Sequence, residues 1–460
     1  MTRGLVVVLV LGFTACDESP TRQDRGLETG RWDGGHDATM EGTGGDGPAR
    51  DGSAPDGPVR DGIPSKDGTS TTDGPVATCN AKALLAALGK THLLAGASME
   101  DAVAKQAPFD LRYIYLAGWI FDQAGPCASC ASGCSSGGQS CAGGGCAWWG
   151  CWQWDQVAPG QYVRDFLAQV MADKQIPMIT YYELLHGSGV AEGKPEITVA
   201  AVDAAFIKRY LGDWRFVLQQ IGTKQVLLHI EPDLWGYAQQ AGSDPTKLAA
   251  AVASANPTDC ATLPNTIAGL GRCMIAMVRK YAPGARVGLH ASAWASGIDV
   301  SLNTSSTLDV KGEAQKVGTF LLACGAADGD NVVVEASDRD AGYYDSIGQN
   351  RWWDATNTKL PDFDQHFTWA AALSQKVGRP LLWWQLPVGN MSLSNTSGQW
   401  KDNRVDYFFV HTQQVAAAGG IGMAFGSGAS GQTSPSTDNG NLVAKVKAYS
   451  TGGGQPPACP

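Results

Sequence analysis

The sequence predicts a (β/α)8 barrel of the α/β class, preceded by a signal peptide and a disordered tether. Three observations predict it. Eight short apolar segments rich in strand-forming residues recur within residues 79–460. Amphipathic stretches separate several of them, and the residues with the most chemical character stand where the segments end. Strands alternating with helices imply a parallel sheet, and eight such units in one domain imply a closed barrel with its site at the carboxyl ends of the strands.

The eight segments are His92 to Ala97, Arg112 to Phe121, Ile176 to Leu184, Gln225 to Glu231, Arg286 to Trp294, Asn331 to Ser337, Pro380 to Leu386 and Gly420 to Gly426. Helical periodicity marks Tyr162 to Ala172, Val202 to Ile221, Ile267 to Tyr281 and Val405 to Ala417. The clearest strand end is Val226-Leu-Leu-His-Ile-Glu-Pro-Asp-Leu-Trp-Gly-Tyr237. Pro232 lacks a backbone donor and biases Glu231 toward an extended conformation, so the strand should stop there.

Upstream of the barrel, Met1-Thr-Arg3 leads into the apolar run Gly4 to Phe13 and then Thr14-Ala15-Cys16. This reads as an export signal, too short for a permanent span. The small residues before Cys16 resemble the lipobox of bacterial lipoproteins, with Phe13 where Leu is usual. Residues 1–16 are therefore expected to be a lipoprotein signal peptide, with Cys16 lipidated and the protein held on a membrane or cell surface. Cleavage at Ala15 with plain secretion is the alternative. Residues 17–78 are rich in Gly, Asp, Pro, Ser and Arg with very few apolar residues, and Asp-Gly pairs recur at Asp46, Asp51, Asp56, Asp61, Asp67 and Asp73. Calcium-binding repeats would interleave apolar residues, which are missing here, and Pro48, Pro55, Pro58 and Pro64 would interrupt a ladder. A solvated linker fits better.

The formal net charge of −10 and the lack of basic clusters argue against a nucleic-acid partner. Twelve cysteines suit an exported chain. Cys127, Cys130, Cys134, Cys141, Cys146 and Cys151 crowd one loop, residues 122–156. Cys127-x-x-Cys130 could belong to a zinc site or a redox pair, but no histidine stands near it, and three stapling disulfides are expected. Cys260 and Cys273 flank a short segment, Cys79 and Cys459 bracket the domain, and Cys324 is left as the free thiol.

The candidate site residues all come from strand ends. Glu231 and Glu335 each close an apolar strand and form the leading carboxylate pair, with Asp233, Asp338 and Glu183 as further candidates. Arg339 or Arg351 could instead engage Glu335 in a structural ion pair, and Glu231 could instead be a structural carboxylate holding the next loop. Around the carboxylates stand Trp148, Trp149, Trp152 and Trp154 in the cysteine loop, then Trp235, Tyr237, His290, Trp294, Trp384, Gln385 and Asn390. Sugar rings stack their C–H faces on aromatic planes and offer hydroxyls to carboxylates and amides. Fifteen tryptophans suit such a ligand, although Trp119 and Trp369 read as core. Glycosidic cleavage needs two carboxyl groups held in different protonation states.

A glutamate closing the fourth strand, aromatics around it and a Trp-rich late strand resemble the large clan of (β/α)8 retaining glycosidases that includes endoglucanases, xylanases and mannanases. The resemblance implies a polysaccharide hydrolase with a carboxylate pair, no cofactor, a glycan substrate and a monomer. Two departures stand out: Ile230 occupies the place where the clan has Asn, and the seventh strand carries Gln385 rather than a nucleophilic glutamate. Glu231-Pro-Asp233 also resembles a tripeptide of inverting secreted cellulases, which would make Asp233 the matching residue. Asp338, in Ser337-Asp-Arg-Asp340, is similar to the acidic loop of that family. Two other readings remain open. One is a metal-dependent barrel hydrolase using His229, Glu231 and His290, although His92 lacks the His-x-His of that group. The other is a non-catalytic surface lipoprotein that binds polysaccharide.

Overall fold

The computed structural model describes residues 79–118, 120, 134–136, 139–141 and 160–458, all within the unit Lys66–Pro460. Eight parallel strands close into a barrel: β1 Leu94–Ala97, β2 Leu111–Leu116, β3 Ile176–Tyr181, β4 Leu227–Ile230, β5 Arg286–Ala291, β6 Asn331–Val334, β7 Leu381–Leu386 and β8 Gly420–Phe425. Each pairs with its sequence neighbours, and β8 returns to β1 through Leu94↔Gly422 to Ala97↔Phe425. Seven of the eight segments expected from sequence contain one of these strands, and β2 begins one residue before its segment. At Gly96 the walls run so close that a Cβ would meet the Leu111 carbonyl oxygen at 2.3 Å, so only glycine lets β1 lie against β2.

The outer layer contains α1 Asn80–Ala87, α2 Gln161–Ala172, α3 Ala204–Ile221, α4 Leu234–Ala241, α5 Ile267–Tyr281, α6 Val310–Ala323, α7 Phe363–Val377, α8 Arg404–Val410, α9 Thr412–Ala417 and α10 Asn441–Thr451. Side-chain caps start the long ones. Asp203 accepts from the Ala205 and Phe206 amides at 2.8 and 3.1 Å, Thr266 from Gly269 at 3.2 Å, and Asp362 from Gln365 at 2.8 Å. On α3 the buried stripe Phe206, Tyr210, Trp214, Val217, Leu218 and Ile221 repeats at helical spacing and packs on the barrel wall. The expected helix from Val405 to Ala417 is two helices, because His411 leaves helical geometry and stacks on Tyr407 at 3.8 Å.

The ends of the domain meet. The Leu93 amide donates to Gln455 O at 2.8 Å, and Tyr449 Oη donates to Leu93 O at 2.8 Å. Cys459 lies outside the described residues, as do residues 1–78, which include Cys16 and the linker. Cys260 and Cys273 are bridged, and Cys324 is a buried free thiol. In the cysteine loop only a short antiparallel ladder is described, with Cys134 opposite Cys141. Trp119, Trp148, Trp149, Trp152 and Trp154 lie outside the described residues. Among the described residues no helix is long and apolar enough to cross a membrane.

Candidate active site

Side chains alternate inward and outward along each strand, and this alternation builds the site from below. Tyr113 and Tyr115 of β2, Thr180 of β3, His229 of β4, His290 of β5 and Trp384 of β7 turn inward. Trp384 is buried at the centre, with Tyr115 at 5.6 Å, His229 at 4.7 Å and His290 at 5.8 Å between ring centroids. It is therefore the floor of the site rather than an exposed platform. Gln385 sits beside it with φ 54°, a left-handed backbone unusual for a residue with a side chain. The amide of that side chain accepts from Tyr115 Oη and donates to Asp338 O at 3.2 Å.

Glu231 does not join this group, which corrects the leading expectation. By alternation it should follow His229 inward, but its φ of 52° turns the side chain outward, between barrel and helices. There Oε1 accepts from the amides of Glu183 and Leu184 at 3.1 and 3.0 Å and from Tyr210 Oη of α3 at 2.8 Å. The residue is completely buried. Burial pushes its carboxyl up to about 7, against the opposing effect of those three donors. Glu183 is also buried, takes the Gly118 amide at 2.9 Å, and is raised well above the ordinary range by burial and by Asp213. Both carboxyls hold loops in place. Trp235 and Asn390 are corrected likewise. Trp235 is buried and donates to Ile230 O at 3.0 Å, and Asn390 ties Asp438 O at 2.9 Å to the Ser392 amide at 3.0 Å.

The carboxylates that do share the face are Asp233, Glu335, Asp338 and Asp299, each within electrostatic reach of others in the set. Asp233 stands before α4 but makes no capping bond; its Oδ2 accepts from Tyr182 Oη instead. Burial, then the neighbouring Glu335, pushes it up to about 8, with Tyr182 opposing and Asp338 adding to the rise. Asp299 is raised to about 6, first by burial, with Glu335 and Asp338 adding to it and Arg351 and the Ser301 amide opposing. Asp338 is tied by Tyr344 Oη and by Arg339. Arg351 lies 3.9 Å from Asp299. Among the described residues neither arginine forms an ion pair with Glu335; His290 Nε2 lies 3.8 Å from it. The expected structural ion pair is thus not formed.

Two half-buried aromatic groups flank these carboxylates in sequence. Tyr237 and Trp294 pack at 4.8 Å between centroids, with Tyr237 Oη on Glu192. Trp294 can lie there because α4 offers Gly236, where a Cβ would come within 2.5 Å of the indole. After β6 and β7, Tyr343 meets Trp400 at 5.8 Å. Sequence reasoning missed Tyr115, Tyr182 and Asp299. Tyr113-x-Tyr115 carried a readable signal, since a period of two in a strand puts both rings on one face. Asp299 sits in an irregular loop after β5 and carried none.

The metal-ligand set suggested by His229, Glu231 and His290 does not converge, because Glu231 faces away and the two imidazoles bond each other at 3.1 Å.

No protein-family model matches the sequence, and no curated protein matches it. Among solved structures, the chain is similar to an endoglucanase from Mycobacterium tuberculosis in complex with a thio-linked cellobioside, at 12% identity, with a TM-score of 0.26. That likeness covers 49% of this chain and 56% of the endoglucanase, so the chain spans little more than half of it. It is also similar to a modular endo-β-1,4-mannanase from Cellulomonas fimi, at 10% identity over 81% of this chain and 74% of that one, TM-score 0.44. A β-mannanase from Alicyclobacillus acidocaldarius shares 9% identity over 79% of this chain and 99% of its own, TM-score 0.38.

Proposed function

We propose that the protein is a glycoside hydrolase that cleaves a polysaccharide of the glucan or hemicellulose type, with Asp233 as proton donor and Glu335 as the second carboxylate. One observation carries the reading. Asp233, pushed up to about 8 by burial and the neighbouring Glu335, keeps its proton at neutral pH, and among the described residues no arginine or lysine forms an ion pair with that glutamate. Two carboxyl groups with opposed roles on one barrel face are what glycosidic cleavage requires. Asp233 gives its proton to the glycosidic oxygen as the bond to the anomeric carbon breaks. Glu335 either attacks that carbon, to be displaced later by water, or takes a proton from the attacking water. Tyr237 and Trp294 offer ring faces to neighbouring sugars, and Asp338 and Gln385 offer polar groups to hydroxyls.

The chain is proposed to work outside the cytoplasm, held by a lipid on Cys16 and standing off on residues 17–78. Clarified glucan, xylan and mannan are incubated with the full chain and new reducing ends are counted. Release that disappears in both Asp233→Asn and Glu335→Gln supports the assignment. Binding to the insoluble polymer with no new ends in the native chain refutes it. Following the anomer first formed by proton magnetic resonance separates retention from inversion.

A further inference from the structure

The two histidines in the barrel have no part in the proposed cleavage, yet they form a directed chain that ends at Glu335. Thr180 Oγ1 lies 3.2 Å from His229 Nδ1, His229 Nε2 lies 3.1 Å from His290 Nδ1, and His290 Nε2 lies 3.8 Å from Glu335 Oε1. Thr180, His229 and His290 are all buried, each no more than 1% exposed. His290 Nε2 has no hydrogen-bond partner among the described residues, and Glu335 Oε1 lies 3.8 Å from it, within ion-pair reach and just beyond direct hydrogen-bond distance. Trp384 packs edge-on against both rings and holds their planes.

Hydrogen counting leaves three arrangements. Burial, reinforced by His290, holds His229 well below the ordinary histidine range, so it is neutral and carries one N–H. In the first arrangement Thr180 donates to His229 Nδ1, His229 Nε2–H donates to His290 Nδ1, and His290 Nε2–H points at Glu335. In the second every hydrogen is reversed, and a nitrogen lone pair faces the carboxylate. In the third His290 carries both hydrogens, donating from Nδ1 to His229 and from Nε2 toward Glu335, and His229 carries its hydrogen on Nδ1. The groups facing Glu335 include Tyr115 from β2, His290 from β5, Asp233 after β4 and Asp299 after β5. A carboxyl oxygen is held best where a donor faces it, which excludes the second arrangement; the third needs His229 to carry its hydrogen on Nδ1, so the tautomer at His229 separates it from the first.

We propose that Thr180, His229 and His290 form a tautomer lock that presents His290 Nε2–H to Glu335 and keeps this carboxyl group oriented. The three are positioning residues: they touch Glu335 or one another, not the sugar. The inference rests on the reading of Glu335 as a working carboxylate, but its first test does not require activity.

Long-range proton–nitrogen correlation on the full chain labelled with nitrogen-15 histidine reads each tautomer directly. His229 and His290 are assigned by comparison with His229→Gln and His290→Gln. The expected result is a neutral Nε2–H form at both residues near pH 7. Thr180→Val, which keeps the shape and removes the donor, should mix the tautomers at His229. A neutral Nδ1–H form at either histidine in the native chain overturns the lock, as does an unchanged His229 spectrum in Thr180→Val. A second test reads turnover. His290→Leu should lower kcat on the order of tenfold with KM held, and His290→Gln, which restores an N–H donor, should recover part of it. Equal loss in both variants, or loss in KM alone, also overturns the proposal. If the native chain cleaves no glycan but shows the expected tautomers, the lock stands and the hydrolase reading fails.

Discussion

Replacing Glu231 with Gln separates a structural carboxyl from a catalytic one. In the folded chain burial raises this group from 4.5 to about 7, so between those values the unfolded chain ionises while the folded one keeps its proton. The stability this group contributes is fully present below about pH 4.5 and is lost as pH rises through about 7, a change of about 3 kcal/mol. Gln cannot ionise. Its carbonyl oxygen still accepts from the Glu183 and Leu184 amides and from Tyr210 Oη. Oε2 has no hydrogen-bond partner among the described residues, so the protonated acid leaves one O–H unmet and the amide two N–H, an offset that does not change with pH. Relative to the native chain, Glu231→Gln should therefore gain about 3 kcal/mol between about pH 4.5 and about pH 8. Urea denaturation followed by circular dichroism at several pH values measures this. Turnover should stay within a few-fold of native. Glu231→Leu, by contrast, strips three buried donors of their acceptor and should cost about 1–3 kcal/mol for each. Parallel stability–pH curves for Gln and native chains would refute the buried-carboxyl account. A loss of turnover of about 100-fold in Glu231→Gln would restore Glu231 as the acid.

Three further outcomes follow from named contacts. Because Asp233 must hold its proton to act, the rate on unactivated glycan should fall as pH rises through about 8, and a pH–rate profile lacking that limb argues against it as the donor. Arg404, buried against Asp402 at 2.9 Å, lies over Trp353 and also donates to Arg351 O at 2.9 Å. Arg404→Met leaves Asp402 with only the Ala341 and Arg404 backbone amides and should cost about 3–5 kcal/mol in urea denaturation. Removing the Cys260–Cys273 bridge, which closes a separation of 13 residues, should cost up to about 3 kcal/mol and leave glycan turnover unchanged.

The sequence alone determined the barrel. Its strands are continuous apolar runs because both faces of a parallel sheet are covered, and its long helices carry one apolar stripe. Those are local periodicities, readable without knowing what packs against what, and the free thiol at Cys324 and the Cys260–Cys273 pair were legible in the same way, one from an apolar run and one from spacing. The tertiary structure decided which residues face the site. Glu231 and Asp233 are two positions apart and look equally suited, yet the backbone turn at Glu231 sends one carboxyl to the helices and leaves the other on the strand ends. What holds that turn is Tyr210, 21 residues away, and two amides 47 and 48 residues away, none of which a local pattern can register. Trp235 and Trp294 divide in the same way: one indole finds a carbonyl inside the wall, while the other finds Gly236 and stays half-exposed. Asp299 and Tyr182 reached the site because loops after β5 and β3 carry them there. Direction at a strand end is set by long-range partners, and that is why the proposed carboxylate pair differs from the one the sequence suggested while the barrel does not.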